Sequence, residues 1–379
     1  MASRADPLNR AVDAQRIATA PRAPAGRAVS HARPGLLSTW LWAVAALVLA
    51  MIAVGGITRL TDSGLSITRW EPILGVIPPL SQADWERAFA LYRETSEYQL
   101  ANRGMSMEAF QRIFFWEYVH RLLGRLIGLA YALPLAWFAW KRWIPAGFGP
   151  RLLALLALGG LQGVVGWWMV ASGLVDRVDV AHERLAVHLG LAFLILGALA
   201  WTALDLRALA RGEAPPLAGR QHRRVLPLLA LLALQFTVGA FVAGLRAGTA
   251  FDTWPKMGEY WVPPGWLELT PMWTNFIHNP LAVQFAHRSL AWVVALAALA
   301  IAWRLWRAGA GWRAQALAGA VLVQFALGVA VVLAGVPLGL GVLHQSGAAL
   351  LLLATVVAAH WATRRPVPGV AGPALPTRG

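Results

Sequence analysis

Four histidines lie deep inside long apolar segments of the sequence: His120, His188, His287 and His344. Each falls about 7–10 residues from the same end of its predicted membrane helix, a depth of about 10–15 Å at the α-helical rise. An ionisable side chain at that depth is costly unless it is paired, and it predicts a functional site. A single such histidine would be explained by a bond to a neighbouring helix, whereas four at one depth predict ligands.

Paired imidazoles on facing helices suit the two axial positions of a flat tetrapyrrole such as haem, and helical bundles commonly build cofactor sites between facing helices. Zinc typically takes three or four ligands, so it fits two histidines less well. Nearby small residues would let a broad ring approach the backbone, although they would also allow close helix packing. These are Gly124, Gly128, Gly190 and Gly347. The prediction is haem iron bound through the four histidines.

Two arginines directly follow a histidine, Arg121 after His120 and Arg288 after His287. A guanidinium group forms forked hydrogen bonds to carboxylates, and haem propionates are carboxylates. We therefore predict propionate contacts for both arginines. The alternative is that they extend to lipid headgroups.

Glu117 stands three residues before His120, on the same helical face. The corresponding position beside His287 is Gln284. One half of the chain thus carries a carboxyl group beside its histidine and the other a neutral amide. This difference predicts one chemically active site and one passive site; the alternative is that Glu117 is a structural partner of Arg121.

The remaining five histidines carry weaker signals. His182 and His278 fall at predicted outer helix ends, which favours interfacial hydrogen bonding. His31, His222 and His360 lie in basic segments or near a helix end, and we assign them no site.

The composition indicates that these residues are positioned by membrane helices. The chain has 379 residues, of which 58% are hydrophobic and 13% charged, whereas soluble proteins carry about 25% charged residues. It has no cysteine, which excludes thiolate ligands and disulfides. The net charge of +15 does not predict nucleic-acid binding, because the basic residues are spread over loops instead of forming one patch.

The expected fold is an all-α membrane protein with eight spans, each a run of about 20 mostly apolar residues. The predicted spans are 36–55, 113–139, 152–171, 181–204, 225–246, 278–303, 314–335 and 337–362. Most Lys and Arg residues fall at the termini and in alternate loops, which predicts that both termini are cytoplasmic. The Arg-rich segment 1–35 is expected to be a basic cytoplasmic arm; an organelle transit peptide is the alternative.

Two outer loops are long, at about 56–112 and 247–277. In the first, Ser81 and Asp84 predict a helix start. Trp85, Phe89 and Tyr92 then follow on one face, which predicts a short amphipathic helix over 81–101. It could lie on the membrane interface or pack on the bundle, and the sequence favours neither.

The chain looks duplicated, because elements of the first four spans recur in the same order in the last four. Tyr118-Val119-His120-Arg121 corresponds to Phe285-Ala286-His287-Arg288, and Gln162 with Gly166 to Gln324 with Gly328. We therefore predict two tandemly repeated four-helix bundles. The expected boundaries are an N-terminal bundle at 36–205, a cytoplasmic linker at 206–223, a C-terminal bundle at 224–363 and a cytoplasmic tail at 364–379.

With these motifs identified, the sequence resembles the haem A synthase family in its mitochondrial and alphaproteobacterial forms, over about 36–362. The resemblance rests on several segments of the chain: Gly55-Gly56-Ile57-Thr58-Arg59-Leu60-Thr61-Asp62-Ser63-Gly64-Leu65-Ser66, Trp70-Glu71-Pro72, Glu117-Tyr118-Val119-His120-Arg121, His188, Ala286-His287-Arg288 and His344-Gln345. Some members of that family carry cysteine pairs in the outer loops; this chain has none.

The resemblance implies a membrane oxidoreductase that converts the position-8 methyl of haem O into a formyl group, giving haem A for terminal oxidases. It implies His120 and His188 as ligands of the substrate haem, His287 and His344 as ligands of a haem b cofactor, and Glu117 as the catalytic residue. The expected location is a bacterial inner membrane, or the mitochondrial inner membrane in a eukaryote. A haem O synthase is an expected neighbour, while the electron donor and homo-oligomer formation stay open.

Two other functions fit parts of the pattern. A dihaem b-type electron-transfer protein that oxidises quinol would hold haem in both halves but would not need Glu117. A secondary transporter would also show repeats, but the two halves here enter the membrane from the same side, and transport gives no reason for four histidines at one depth.

Overall fold

The computed structural model describes residues 31–71, 74–175, 177–213 and 222–364. Within these residues the chain is helical and has no β-strand, apart from one isolated bridge between Met257 and Tyr260. Eight of its helices are long and apolar enough to cross a membrane. In chain order, the first to eighth spans are Pro34–Leu60, Met107–Trp140, Gly149–Gly173, His182–Ala210, His222–Gly244, Pro280–Arg307, Trp312–Leu333 and Leu338–Thr363.

All eight predicted spans are confirmed as helices, with ends that differ by a few residues. The largest differences are in the second and fourth spans. The second begins at Met107 instead of 113, because Ser106 accepts a hydrogen bond from the backbone of Ala109 and caps the helix there. The fourth continues to Ala210 instead of 204, so the start of the predicted 206–223 linker is helical. Residues 1–30, 214–221 and 365–379, which include most of the predicted arm and tail, lie outside the description.

The predicted surface helix over 81–101 is two helices, Gln82–Arg93 and Ser96–Leu100. Ser81 and Asp84 form a reciprocal capping box at its start, as expected. Its aromatic face packs on the bundle: Phe89 and Tyr92 are 3% and 0% exposed and form a cluster with Phe110 at the start of the second span. Of the two alternatives, the structure shows the packed one, because protein covers the apolar face.

The spans form two hydrophobic cores. One lies mainly among the first four spans and also includes Ala349, Leu352 and Val356 of the eighth. The other lies among the last four spans. The first and fourth spans contact the eighth, and the fourth also contacts the fifth, so these helices build the junction between the halves. This arrangement is consistent with the predicted pair of bundles.

Polar contacts join the two halves at both ends of the bundle. We call the end that carries residues 61–106 and 245–279 the loop face. There, Arg246 Nη2 lies 2.7 Å from Asp62 Oδ1 and 3.2 Å from Asp179 Oδ1. At the opposite end, Asp205 Oδ1 lies 3.0 Å from both His360 Nε2 and Arg364 Nη2. The halves are therefore tied to each other at two levels.

Candidate haem site

Each of the four histidines inside the even-numbered spans packs against a glycine of the preceding span. A Cβ atom added at Gly55 would lie 3.1 Å from Cε1 of His120, and the same contact is 3.0, 2.9 and 3.0 Å for the other pairs. Those pairs are Gly166 with His188, Gly239 with His287 and Gly328 with His344. The Cε1 and Nδ1 edge of every ring faces its glycine, so Nε2 is the nitrogen farther from that helix. Only a glycine allows each imidazole to approach the neighbouring backbone so closely.

Three of the histidines are also held by a glutamine one helical turn before the contacted glycine. Gln162 Nε2 donates to the backbone oxygen of His188 at 3.0 Å and lies 3.2 Å from its Nδ1. Gln235 makes the same pair of contacts to His287, at 3.2 Å each, and Gln324 to His344, at 3.0 and 3.2 Å. These glutamines fix both the backbone and the ring of their histidine.

In all three glutamines, the buried Oε1 has no hydrogen-bond partner among the described residues. A buried amide oxygen without a partner is costly. The amide nitrogen, and not this oxygen, is the atom that lies 3.2 Å from each imidazole Nδ1. The oxygen is therefore left as an acceptor for a further group at each site.

His120 is the exception. The residue one turn before Gly55 is Met51, whose Cε lies 3.3 Å from the position of a Cβ at Gly124. A thioether cannot donate a hydrogen bond, and His120 Nδ1 is buried without a hydrogen-bond partner in the described part of the chain. The four sites thus share one glycine contact but differ in anchoring, with three histidines held by an amide and one not.

The pair in the C-terminal half has a spacing that suits two ligands of one metal. The rings of His287 and His344 have centroids 6.4 Å apart and planes at 82°. Two opposed metal–nitrogen bonds of about 2 Å, each extended by roughly 1 Å to a ring centre, span close to this distance. The donor set and spacing therefore fit the axial ligation of a haem iron. In the N-terminal half, His120 and His188 are likewise close enough to interact electrostatically.

The glycines predicted to admit the ring divide into two groups. A Cβ at Gly128 or Gly190 would have no described atom within 4 Å, so both border open space. Gly124 instead faces Met51, and a Cβ at Gly347 would clash with Gln324 Oε1. The first pair borders space that the described residues leave open, whereas the second pair accommodates the side chains of Met51 and Gln324.

Glu117 is 3% exposed and accepts three hydrogen bonds. Its Oε2 accepts from Ser66 Oγ and from the backbone of Ile67, each at 2.7 Å, and its Oε1 accepts from Arg121 Nη2 at 2.6 Å. The carboxylate therefore joins the second span to the segment that follows the first. The structural partnership with Arg121, weighed as the alternative, is present in the structure, and a catalytic role for Glu117 stays a prediction.

Gln284 occupies the equivalent position in the other half, but it donates hydrogen bonds where Glu117 accepts them. Its Nε2 donates to the backbone oxygens of Phe251 and Gly248, at 2.9 and 3.4 Å. The carboxylate of Glu117 can only accept, whereas the amide of Gln284 donates. Both residues bind the loop that follows the preceding odd-numbered span. The two halves therefore hold equivalent loops, one through a carboxylate that accepts hydrogen bonds and the other through a neutral amide that donates them.

The two arginines are also engaged with these loops. Arg121 donates to the backbone oxygens of Ile67 and Arg69, at 2.7 and 3.0 Å. Arg288 donates through Nη2 to three backbone oxygens, those of Thr253, Pro255 and Lys256. Arg288 Nη1 is buried with no hydrogen-bond partner among the described residues, so this arginine still has a donor for a further group.

Sequence reasoning missed the glutamines and glycines as parts of the site. Gln162, Gly166, Gln324 and Gly328 served only as markers of duplication. The available signal was the recurrence of Gln-x-x-x-Gly on three odd-numbered spans, which places both side chains on one face. The further recurrence of glycine opposite each histidine required the rotation of every helix, which periodicity alone does not give.

Comparisons with known proteins agree over most of the chain. The model of the COX15-CtaA family, described as cytochrome oxidase assembly protein, matches residues 38–356. A heme A synthase of Rhizorhabdus wittichii is 51% identical over 331 residues, which cover 86% of this chain and 94% of the relative. That of Sphingopyxis alaskensis is 48% identical over 342 residues, covering 90% and 96%. That of Rhodospirillum centenum is 48% identical over 332 residues, covering 86% and 88%.

Proposed function

Because this chain belongs to the COX15-CtaA family of cytochrome oxidase assembly proteins, we propose that it is a haem A synthase, an oxidoreductase that acts on haem O. The reaction converts the methyl group at ring position 8 into a formyl group and yields haem A for terminal oxidases. The observation that carries a haem function is the pairing of His287 and His344 at 6.4 Å between ring centroids.

We assign the substrate haem to His120 and His188 and a resident haem b to His287 and His344. A resident cofactor must stay bound, whereas a substrate must enter and leave as product. Both histidines of the C-terminal half are anchored by glutamines. In the N-terminal half, only His188 has this anchor, and Met51 stands where the other glutamine would be. The assignment therefore puts the exchangeable ligand at His120.

A bound haem b supplies a redox-active iron that can pass electrons to or from the reacting site. The residues of the chain hold that iron in place. Gln235 and Gln324 fix their histidines by donating to the backbone oxygens. An outer partner that holds a ligand in this way orients it toward the metal.

Glu117 is proposed as the residue that takes up a proton at the reacting site. It lies one helical turn from His120, and its carboxylate is an acceptor for Ser66, Ile67 and Arg121. Arg121 supplies a positive charge beside this buried carboxylate, 2.6 Å from its Oε1. Gln284 cannot fill this role because an amide has no basic lone pair of comparable strength, which supports a reacting site in the N-terminal half only.

The propionate contact is better supported at Arg288 than at Arg121. Arg288 Nη1 has no described hydrogen-bond partner, while both terminal nitrogens of Arg121 already donate. We propose that Arg288 binds a propionate of the resident haem. A bacterial inner-membrane location, cytoplasmic termini and contact with a haem O synthase are proposed on the loop charges and the family; the electron donor and homo-oligomer formation are left open.

The test is extraction and chromatography of the haems from purified protein produced with a source of haem O. Haem B together with haem O and haem A is the expected result. Haem B alone, with reversible reduction by quinol, would instead favour the dihaem electron-transfer protein, which the paired histidines of both halves would also suit. Protein without any haem would contradict both functions.

A further inference from the structure

A second cluster of metal-binding side chains lies on the loop face, away from the four histidines of the spans. It consists of His182, Glu183 and His278. His182 is the first residue of the fourth span, and His278 ends the short helix Asn275–His278 just before the sixth span. The cluster therefore joins the N-terminal half to the C-terminal half.

The three ligand atoms lie close together. Glu183 Oε1 lies 3.4 Å from His182 Nε2 and 3.6 Å from His278 Nδ1, and all three atoms lie within 4.8 Å of one another. In a tetrahedral zinc site with bonds of about 2.0–2.1 Å, neighbouring ligand atoms are roughly 3.3–3.5 Å apart. The 3.4 Å separation matches this edge length, and the 3.6 Å separation is slightly longer.

His182 carries the most informative atom of the cluster. The residue is 5% exposed, and its buried Nε2 has no hydrogen-bond partner among the described residues. Glu183 Oε1, at 3.4 Å, makes no hydrogen bond with this nitrogen. A neutral imidazole with its lone pair on Nε2 is the form that binds a metal, and an ionised carboxylate cannot donate to that lone pair.

We propose that His182, Glu183 and His278 bind a divalent first-row transition cation, with Zn²⁺ as the ion that suits them best. Two imidazoles and one carboxylate form a donor set used by zinc sites with an open fourth position. Mg²⁺ and Ca²⁺ prefer oxygen ligands and fit this set poorly. The cation lies between the unpartnered nitrogen and the carboxylate. It accepts the lone pair of the nitrogen and neutralises the charge of the carboxylate.

The site is open to a cation from the loop face. The side chains of Glu183 and His278 are 42% and 44% exposed, while that of His182 is 6% exposed. One ligand is therefore fixed in the protein and two can adjust around an arriving ion. Because the ligands come from both halves, the bound ion fastens the fourth span to the start of the sixth.

The experiment is equilibrium dialysis of tag-free, haem-loaded protein against Zn²⁺, with Co²⁺ as a spectroscopic probe. Loading with haem occupies the four histidines of the spans, so they do not compete for the metal. We expect one equivalent of Zn²⁺ per chain, visible absorption of low-coordinate Co²⁺, and a midpoint of thermal unfolding that rises with Zn²⁺ concentration. His182→Ala and His278→Ala are each expected to weaken binding at least about tenfold.

Two variants make the result specific. Glu183→Gln keeps the size of the side chain and is expected to weaken binding without disturbing the haem spectrum, which reports that the fold is intact. His31→Ala, at an exposed position outside the spans, is expected to leave binding unchanged. Equal Zn²⁺ affinity in wild type, His182→Ala and His278→Ala, or no binding by the wild type, would overturn the proposal. The outcome does not depend on whether the protein makes haem A.

Discussion

Glu117 Oε1 and Arg121 Nη2 form a salt bridge of 2.6 Å within one turn of the second span. The side chains are 4% and 14% exposed, so the pair is shielded from water. Removing one partner of a buried ion pair costs more than the pair contributes, because the remaining charge loses its counterion. This relationship makes the two possible roles of Glu117, catalytic and structural, separable by experiment.

Glu117→Gln is expected to lower haem A formation at least about tenfold while haem O remains bound. Glutamine can still accept from Ser66 and Ile67 but has neither the charge nor the basicity of the carboxylate. Arg121 keeps two backbone acceptors, so the loss of stability should fall near the lower end of about 3–5 kcal/mol for a broken buried pair. The ratio of haem A to haem O in extracts measures the first effect and thermal unfolding the second. Full haem A formation in this variant would remove the proton-handling role.

Exchanging Met51 and Gln235 tests the anchoring difference between the halves. Met51→Gln should slow the release of haem from the N-terminal site, and Gln235→Met should speed its loss from the C-terminal site, each by about 10- to 100-fold. Transfer of haem to apomyoglobin, followed by absorbance, gives both rates without reference to activity. If both sites bind haem but neither rate changes, the assignment of His120 as the exchangeable ligand is wrong, while the haem A synthase function still stands.

Gly239→Ala is expected to displace His287 and abolish most haem binding in the C-terminal half. The new methyl group would lie 2.9 Å from His287 Cε1, closer than van der Waals contact allows. Gly319→Ala on the seventh span is the matched control, because a Cβ there meets no described atom within 4 Å. We expect the control to keep its haem and to be slightly more stable, since alanine favours a helix more than glycine. The bis-histidine absorption spectrum of the reduced protein reports both outcomes.

The short helix Ser96–Leu100, which carries the buried Glu97, is expected to become less stable as pH rises. Burial raises the pKa of Glu97 to about 7, although the hydrogen bond from Tyr92 partly opposes this shift. Because the pKa is higher in the folded state, the contribution to stability is fully present below about pH 4.5 and is lost as pH rises through about 7. The penalty at pH 8 is on the order of 3 kcal/mol.

Glu97→Gln should remove this pH dependence, because the amide accepts from the Tyr92 hydroxyl without ionising. Hydrogen exchange of residues 82–100 at pH 5 and pH 8 is the measurement, with Glu86→Gln as an exposed control on the surface helix. Identical exchange of the wild type at both pH values, after correction for the intrinsic rate, would contradict the prediction.

Hydropathy and spacing predicted much of the fold and identified the four histidines of the candidate site. The eight spans follow from composition, and the four histidines stand out because polar rings are costly in a bilayer. The glutamine anchors could not be predicted, because hydropathy says nothing about how each helix is rotated against its neighbour. The depth of His120 within its helix could not be predicted either. The second span begins at Met107, six residues before the predicted start, and Phe110 in this added turn packs against the surface helix.

The contacts of Glu117 with the loop also could not be predicted from the sequence. Its partners Ser66 and Ile67 are about fifty positions away and belong to a segment without regular structure. Only the fold brings that segment back over the second span. The sequence did show the difference between Glu117 and Gln284, which is the feature that distinguishes the two halves chemically.

The contacts between the halves at both ends of the bundle bear on how far one half could move against the other. Arg246 with Asp62 and Asp179 joins the halves on the loop face, and Asp205 with Arg364 joins them at the opposite end. A transporter that works by rocking one bundle against another could not keep both sets of contacts throughout its cycle. In this fold the contacts at both ends oppose such rocking, and the spacing between the two histidine pairs is set by the packed helices of the junction.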